Sequence, residues 1–161
     1  MLNTSQKVST TEPKVSQVRL QSSSYGRPVA LIWGRTRVSG NLMWYGRFIA
    51  TPHTTTQSSG GKGGGGVTSE NTTYTYSVAF LMGVGEGPIT SLNNVWVNKT
   101  KRSLAAFGIT GFLGGYSQSV WSWHNSYVPS QAQAYRGQAY IGASALNLGS
   151  STTMPNISVD V

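Results

Sequence analysis

A mainly β fold, either an antiparallel sheet or a barrel-like domain with a long hairpin loop and little helix, is predicted by three features of this chain. Residues 73–82 (TYTYSVAFLM) set Tyr74, Tyr76, Val78, Phe80 and Met82 on one face at period two, the spacing of a strand. Runs of β-branched and aromatic residues, 29–33 (VALIW) and 95–97 (VWV), are bounded by Gly, Pro and Asn, as buried strands are. The third feature is the spread of 20 glycines through 161 residues, which undercuts long helices because glycine in a helix interior costs about 1 kcal/mol relative to alanine.

Taken in order, residues 1–13 are Ser/Thr/Gln-rich, nearly free of apolar side chains, and end at Pro13, so a loose arm is expected, followed by a short strand over 15–20. Residues 1–24 thus read as a flexible arm with a first strand, and 25–161 as one β-rich domain. Residues 29–33 read as a buried strand continued by 35–38. The Ser39-Gly40 turn leads to a strand over 41–50 (NLMWYGRFIA), and two strands joined so tightly should pair. Residues 51–72 form a Gly-rich insertion centred on 60–66 (GGKGGGG), expected as a flexible hairpin tip ordered by neighbouring subunits. Lys62 within it does not make a phosphate loop, because Gly63 follows where Ser or Thr is needed before a helix.

The strand over 73–82 ends at Gly83-Val84-Gly85-Glu86-Gly87-Pro88, which forces a turn, and 95–97 supplies another strand. One sheet joining 29–38, 41–50, 73–82 and 95–97 follows. One or two helical turns fit 103–107, whereas 119–124 (SVWSWH) is compatible with a short helix or an extended segment. Residues 138–143 read as a strand. The closing segment alternates Ile157, Val159 and Val161 and is expected to pair or dock beyond this domain.

Chemistry is scarce. Four carboxylates (Glu12, Glu70, Glu86, Asp160), two histidines and no cysteine leave no evident catalytic, cofactor-binding or metal-binding set. Glu86 reads as a turn residue that accepts backbone N–H bonds or pairs with an Arg, and His124, among Trp121, Trp123 and Tyr127, as a packed, hydrogen-bonded core or rim histidine; His53 lies in the Thr/Ser-rich insertion. An enzyme resting on Glu86 with a Tyr or His is the weakest reading, and the chain is expected not to be one.

The net charge of +8 favours polyanions or acidic proteins. The basic residues are scattered, with one cluster at Lys99, Lys101 and Arg102, and a dedicated nucleic-acid arm would be denser. A basic nucleic-acid-binding β module is therefore the alternative to an assembly protein. No apolar stretch reaches the roughly 20 residues of a membrane-spanning helix, and no secretory leader is evident, so assembly in the cytoplasm is expected.

Several separated motifs agree with one family. Residues 25–34 (YGRPVALIWG) followed by 37–44 (RVSGNLMW) resemble the opening of the tail-tip or baseplate hub proteins of long-tailed phages and gene-transfer agents. The glycines at 60–66, then 74–78 (YTYSV), 85–89 (GEGPI), 95–98 (VWVN), 131–132, 135–140 (YRGQAY), 148–149 and 154–156 (MPN) continue that resemblance in order.

The resemblance implies a structural virion protein. It would be a subunit, in three copies, of the hub that closes the distal tail tube and connects it to spike or fibre proteins. Its partners would be itself, the distal tail or tube proteins, the tape-measure protein and the spike or fibres. DNA would pass through the lumen, and the chain would reside at the tail tip of the virion. Family members run to many hundreds of residues, so this chain corresponds to a split subunit or to a fragment of a longer one. The resemblance carries no catalytic residues and no receptor-binding region onto this chain.

Overall fold

In a computed structural model the described residues are 6–20, 29–59 and 67–161. The fold is mainly β, with two sheets packed face to face, and neither closes into a barrel. Nine strands are assigned among the described residues: β1 (Gln6–Thr11), β2 (Arg37–Ser39), β3 (Asn41–Ser59), β4 (Val67–Glu86), β5 (Asn94–Val97), β6 (Thr100–Ser103), β7 (Ile109–Phe112), β8 (Gln138–Gly149) and β9 (Ile157–Asp160). A 3₁₀ turn (Ala105–Phe107) and one helix, α1 (Ser122–Tyr127), complete them.

The first sheet is built around β4. β3 runs antiparallel along one of its edges for nearly the whole length, from Asn41↔Gly83 to Ser59↔Val67. β8 takes the other edge from Tyr76 to Glu86, and beyond it β1 lies parallel on residues 67–72. β7 extends the sheet from β8. The second sheet has the order β2-β9-β5-β6 and is antiparallel throughout.

The period-two face of β4 is the core. Val78, Phe80, Met82 and Val84 pack with Ile109, Ile141, Ala143 and Leu146 of their own sheet and with Val95, Ile157, Val159 and Val161 of the other. The opposite face of β4 is also covered. There Ala79 and Leu81 are buried, and Leu81 and Trp121, just ahead of α1, both close over Gly142. A strand buried on both faces must be apolar at consecutive positions, as 78–82 (VAFLM) is.

Several expectations are corrected. Residues 29–33 are not a buried strand: they touch the sheet through one bridge, Leu31↔Glu86, with the Glu86 N–H donating to the Ala30 carbonyl at 2.9 Å. Ile32 turns inward over Gly85, while Leu31 and Trp33 face out, Trp33 being 85% exposed. β2 and β3 do not pair. Gly40 sits where a Cβ would fall 2.3 Å from the Met82 side chain, so the chain passes close over β4 there and changes sheet. Residues 95–97 likewise belong to the second sheet rather than to the one containing β3 and β4.

At the two chain extremes the differences are larger. The segment 157–161 is paired within this chain, because β9 is flanked by β2 and β5 and Val161 exchanges backbone hydrogen bonds with Thr36 at 3.0 and 3.2 Å. Residues 6–11, expected as a loose arm, form β1. The strand expected over 15–20 is reduced to a bridge, Arg19↔Thr153. Within 51–72, β3 continues to Ser59 and β4 begins at Val67. Residues 25–28 of the opening motif and the glycines at 60–66 lie outside the described residues.

Candidate assembly surfaces

Beyond the body, residues 51–59 of β3, 67–75 of β4 and β1 form a three-stranded ribbon. Residues 51–59 are exposed without interruption, as are all six residues of β1. Thr, Ser, Gln and Asn dominate, so the ribbon has no apolar stripe to bury. Its cross-strand links are Thr54 Oγ1 to Thr72 Oγ1 at 3.0 Å, His53 Nε2 to Thr75 Oγ1 at 2.7 Å and the Lys7–Glu70 ion pair at 2.9 Å. His53 therefore serves the ribbon.

The outer face of the second sheet carries positive charge. Arg37 on β2 and Lys101 on β6 both lie over the Trp96 ring of β5, at 4.1 and 4.7 Å from its centroid. Arg37 Nε donates to Ser158 Oγ at 2.8 Å, and Lys101 lies 3.7 Å from Asp160. Alternation along each strand puts Val38, Val95 and Val159 inward and these polar groups outward. Of the basic cluster predicted at Lys99, Lys101 and Arg102, Lys101 joins this face, whereas Arg102 stands 5.9 Å from the Phe107 ring.

The end of β4 farthest from the ribbon is a junction of three loops. Gly87, Gly114 and Gly137 all have positive φ, and the chain is linked Gly87 N–H to Gly137 carbonyl (2.7 Å) and Gly137 N–H to Gly114 carbonyl (3.1 Å). At Gly114 a Cβ would lie 2.6 Å from the Gly87 carbonyl oxygen, so only glycine fits. Gln118 ties the junction together: its Oε1 accepts from Gly114 N–H, and its Nε2 donates to the carbonyls of Ala134 and Tyr135. Around this end Leu31, Trp33, Leu113 and Tyr116 are exposed. Glu86 is exposed here too. Its backbone anchors residue 30, and among the described residues the ion pairs are Lys7–Glu70 and Lys101–Asp160.

On the outer face of the first sheet, α1 holds an aromatic cluster. Trp44 meets His124 edge-on at 4.5 Å and donates from Nε1 to Gln131 Oε1 at 2.7 Å. Trp123 stacks on Tyr127, and Phe112 on Tyr140. His124 is fully buried with Nε2 lacking a hydrogen-bond partner, and burial holds its imidazole below the usual histidine range. Burial, with Tyr135 adding to it, pushes the Tyr140 hydroxyl up to about 12. A neutral imidazole packed on aromatics is a core group. Among the described residues no cluster of His, Cys, Asp and Glu has the arrangement of a metal site, and no helix is long and apolar enough to cross a membrane.

Sequence reasoning placed His124 correctly among aromatics but expected it hydrogen-bonded, whereas its Nε2 has no partner, and it missed the exposure of Trp33 and the Arg37–Trp96–Lys101 stack. The stack joins three strands that are distant in sequence, and no local pattern announces it.

No family model matches the chain, and no curated protein sequence matches it. A solved structure does: a chain from "Virion of native gene transfer agent (GTA) particle", 24% identical, with a TM-score of 0.62 over 92% of this chain. This chain spans 29% of that longer one. At that identity the likeness is one of fold, and the shared fold is the two-sheet β domain.

Proposed function

We propose that the chain is a structural protein of a phage-like virion and, within it, a subunit of the tail-tip or baseplate hub that closes the distal tail tube and joins it to spike or fibre proteins. The fold likeness to a gene transfer agent virion chain over 92% of the present one carries this reading. The ordered motifs support its finer part. Three of them, 25–34, 85–89 and 135–140, contribute Ala30, Glu86, Gly87 and Gly137 to the loop junction. Three copies would form the ring, with distal tail, tape-measure and spike or fibre proteins as neighbours and the virion tail tip as location. The role is non-enzymatic.

Nucleic-acid binding is the weaker reading. Base stacking needs aromatic faces open to solvent beside basic groups; Trp33 and Tyr116 offer open faces, but Trp96, the ring on the basic face, already engages Arg37 and Lys101, and Phe80 and Tyr140 are in the interior. Gold-labelled antibody against the chain, applied to particles purified from cells that encode it, should mark the distal end of the tail. Label on the capsid, or particles free of the protein, would overturn the assignment.

A further inference from the structure

We propose that β1 is an exchangeable arm: in the assembled hub, residues 6–11 of one copy add to the edge of β4 at residues 67–72 of the neighbouring copy. The proposal rests on the ring-forming reading above and deepens it by naming the surface that joins the copies.

In a single chain β1 has little to hold it. All six residues are exposed, and none belongs to the core cluster. It pairs parallel from Gln6↔Val67 to Thr11↔Thr72, and its one side-chain ion pair, Lys7–Glu70, is a surface pair of the kind that contributes little. Ordering six backbone residues against solvent is costly, so this strand opens more readily than any part of the core. When it opens, β4 presents an unpaired edge over residues 67–72, with Glu70 its single charge, which is a template for another strand.

The chain also supplies a hinge. Residues 18–20 are fastened to the body: Arg19 exchanges backbone hydrogen bonds with Thr152 and Met154 at 2.8 Å, and Val18 and Leu20 pack on the core. Between them and β1, residues 12–17 include Pro13 and are tied by two longer-range hydrogen bonds, Glu12 N–H to the Thr72 carbonyl and Val15 N–H to the Tyr76 hydroxyl, while 14–16 border a cleft shared with 48–50. Six residues reach up to about 20 Å when extended.

A second copy is the occupant that the structure itself specifies. The edge of β4 already fits this sequence in this register, so the same pairs and the same Lys7–Glu70 contact form between copies with no new complementarity. Exchange of an identical element is a low-cost route to dimers, and passing the arm from each copy to the next extends the same pairing around a ring.

The absence of cysteine from the chain gives a clean test. Val8 and Ser69 are register partners, so a Val8→Cys, Ser69→Cys variant places two thiols across the strand pair. The full chain is sized by light scattering, oxidised, and run on a non-reducing gel. Exchange predicts that the assembled fraction yields a ladder of covalent multimers which collapses to one band on reduction. Assembled protein with only within-chain disulfides, or with none, overturns exchange and leaves the hub reading standing, whereas protein that stays monomeric overturns both. Mixing separate Val8→Cys and Ser69→Cys chains tests exchange without the double variant: a mixed disulfide forms only across copies. A Val8→Cys, Ser58→Cys pair, one strand further away, should form no bond.

Discussion

His124 lies wholly inside the cluster of Trp44, Trp123 and Tyr127, where a charge has no compensating partner. Its folded pKa is depressed by burial, so the unfolded chain binds the proton first as pH falls below about 6.5. Stability from this residue is complete above that value and declines as pH drops toward the folded pKa. The melting temperature should therefore fall between pH 7 and pH 5, and His124→Phe should flatten that slope in a pH series of thermal melts. Phe80 is buried in the main core, and Phe80→Ala should cost about 3–5 kcal/mol in urea unfolding. Trp33→Ser, at a side chain that is almost entirely solvent-exposed, should change stability by less than about 0.5 kcal/mol. Retained stability with lost assembly would mark Trp33 as an interface residue.

At the scale of elements, β9 is central in its sheet rather than a free end. Removing residues 156–161 takes away Ile157, Val159 and Val161 and leaves β2 without a partner, so the truncated protein should be insoluble on expression or lack a cooperative melt. At the loop junction, Gly114→Ala forces a left-handed backbone and a backbone clash and should cost about 1–3 kcal/mol. β4, β8 and the body of β3 are legible in the sequence because alternation and turn glycines are local signals. The β2–β9 pairing is not, since it joins residues about 120 positions apart and depends on Gly40 turning the chain from one sheet to the other. β1 is hidden for a different reason: a strand that buries nothing has no apolar pattern to read. Residues 29–33 have strand composition, yet their exposure is decided by where the sheet ends, which composition does not encode. The candidate surfaces were legible only in part, because exposure and the meeting of Arg37, Trp96 and Lys101 are properties of the packed sheets.

For the molecule as a whole, the division between body and ribbon predicts that the two are separable. Strands account for 56% and helix for 6% of the described residues, so far-UV circular dichroism should show a sheet spectrum. Replacing residues 54–72 by a two-residue turn removes no member of the core cluster. The shortened protein should keep a cooperative melt close to that of the parent, and the proposed exchange of β1 further predicts that it stays monomeric in light scattering. β4 itself runs through both parts, and its 20 residues span about 65 Å. A pull along the ribbon would therefore reach the interior through one unbroken backbone, loading the hydrogen bonds to β3 and β8 together in shear instead of parting them singly. Displacement of the described part of the ribbon would thus be carried along β4 toward the loop junction at its other end.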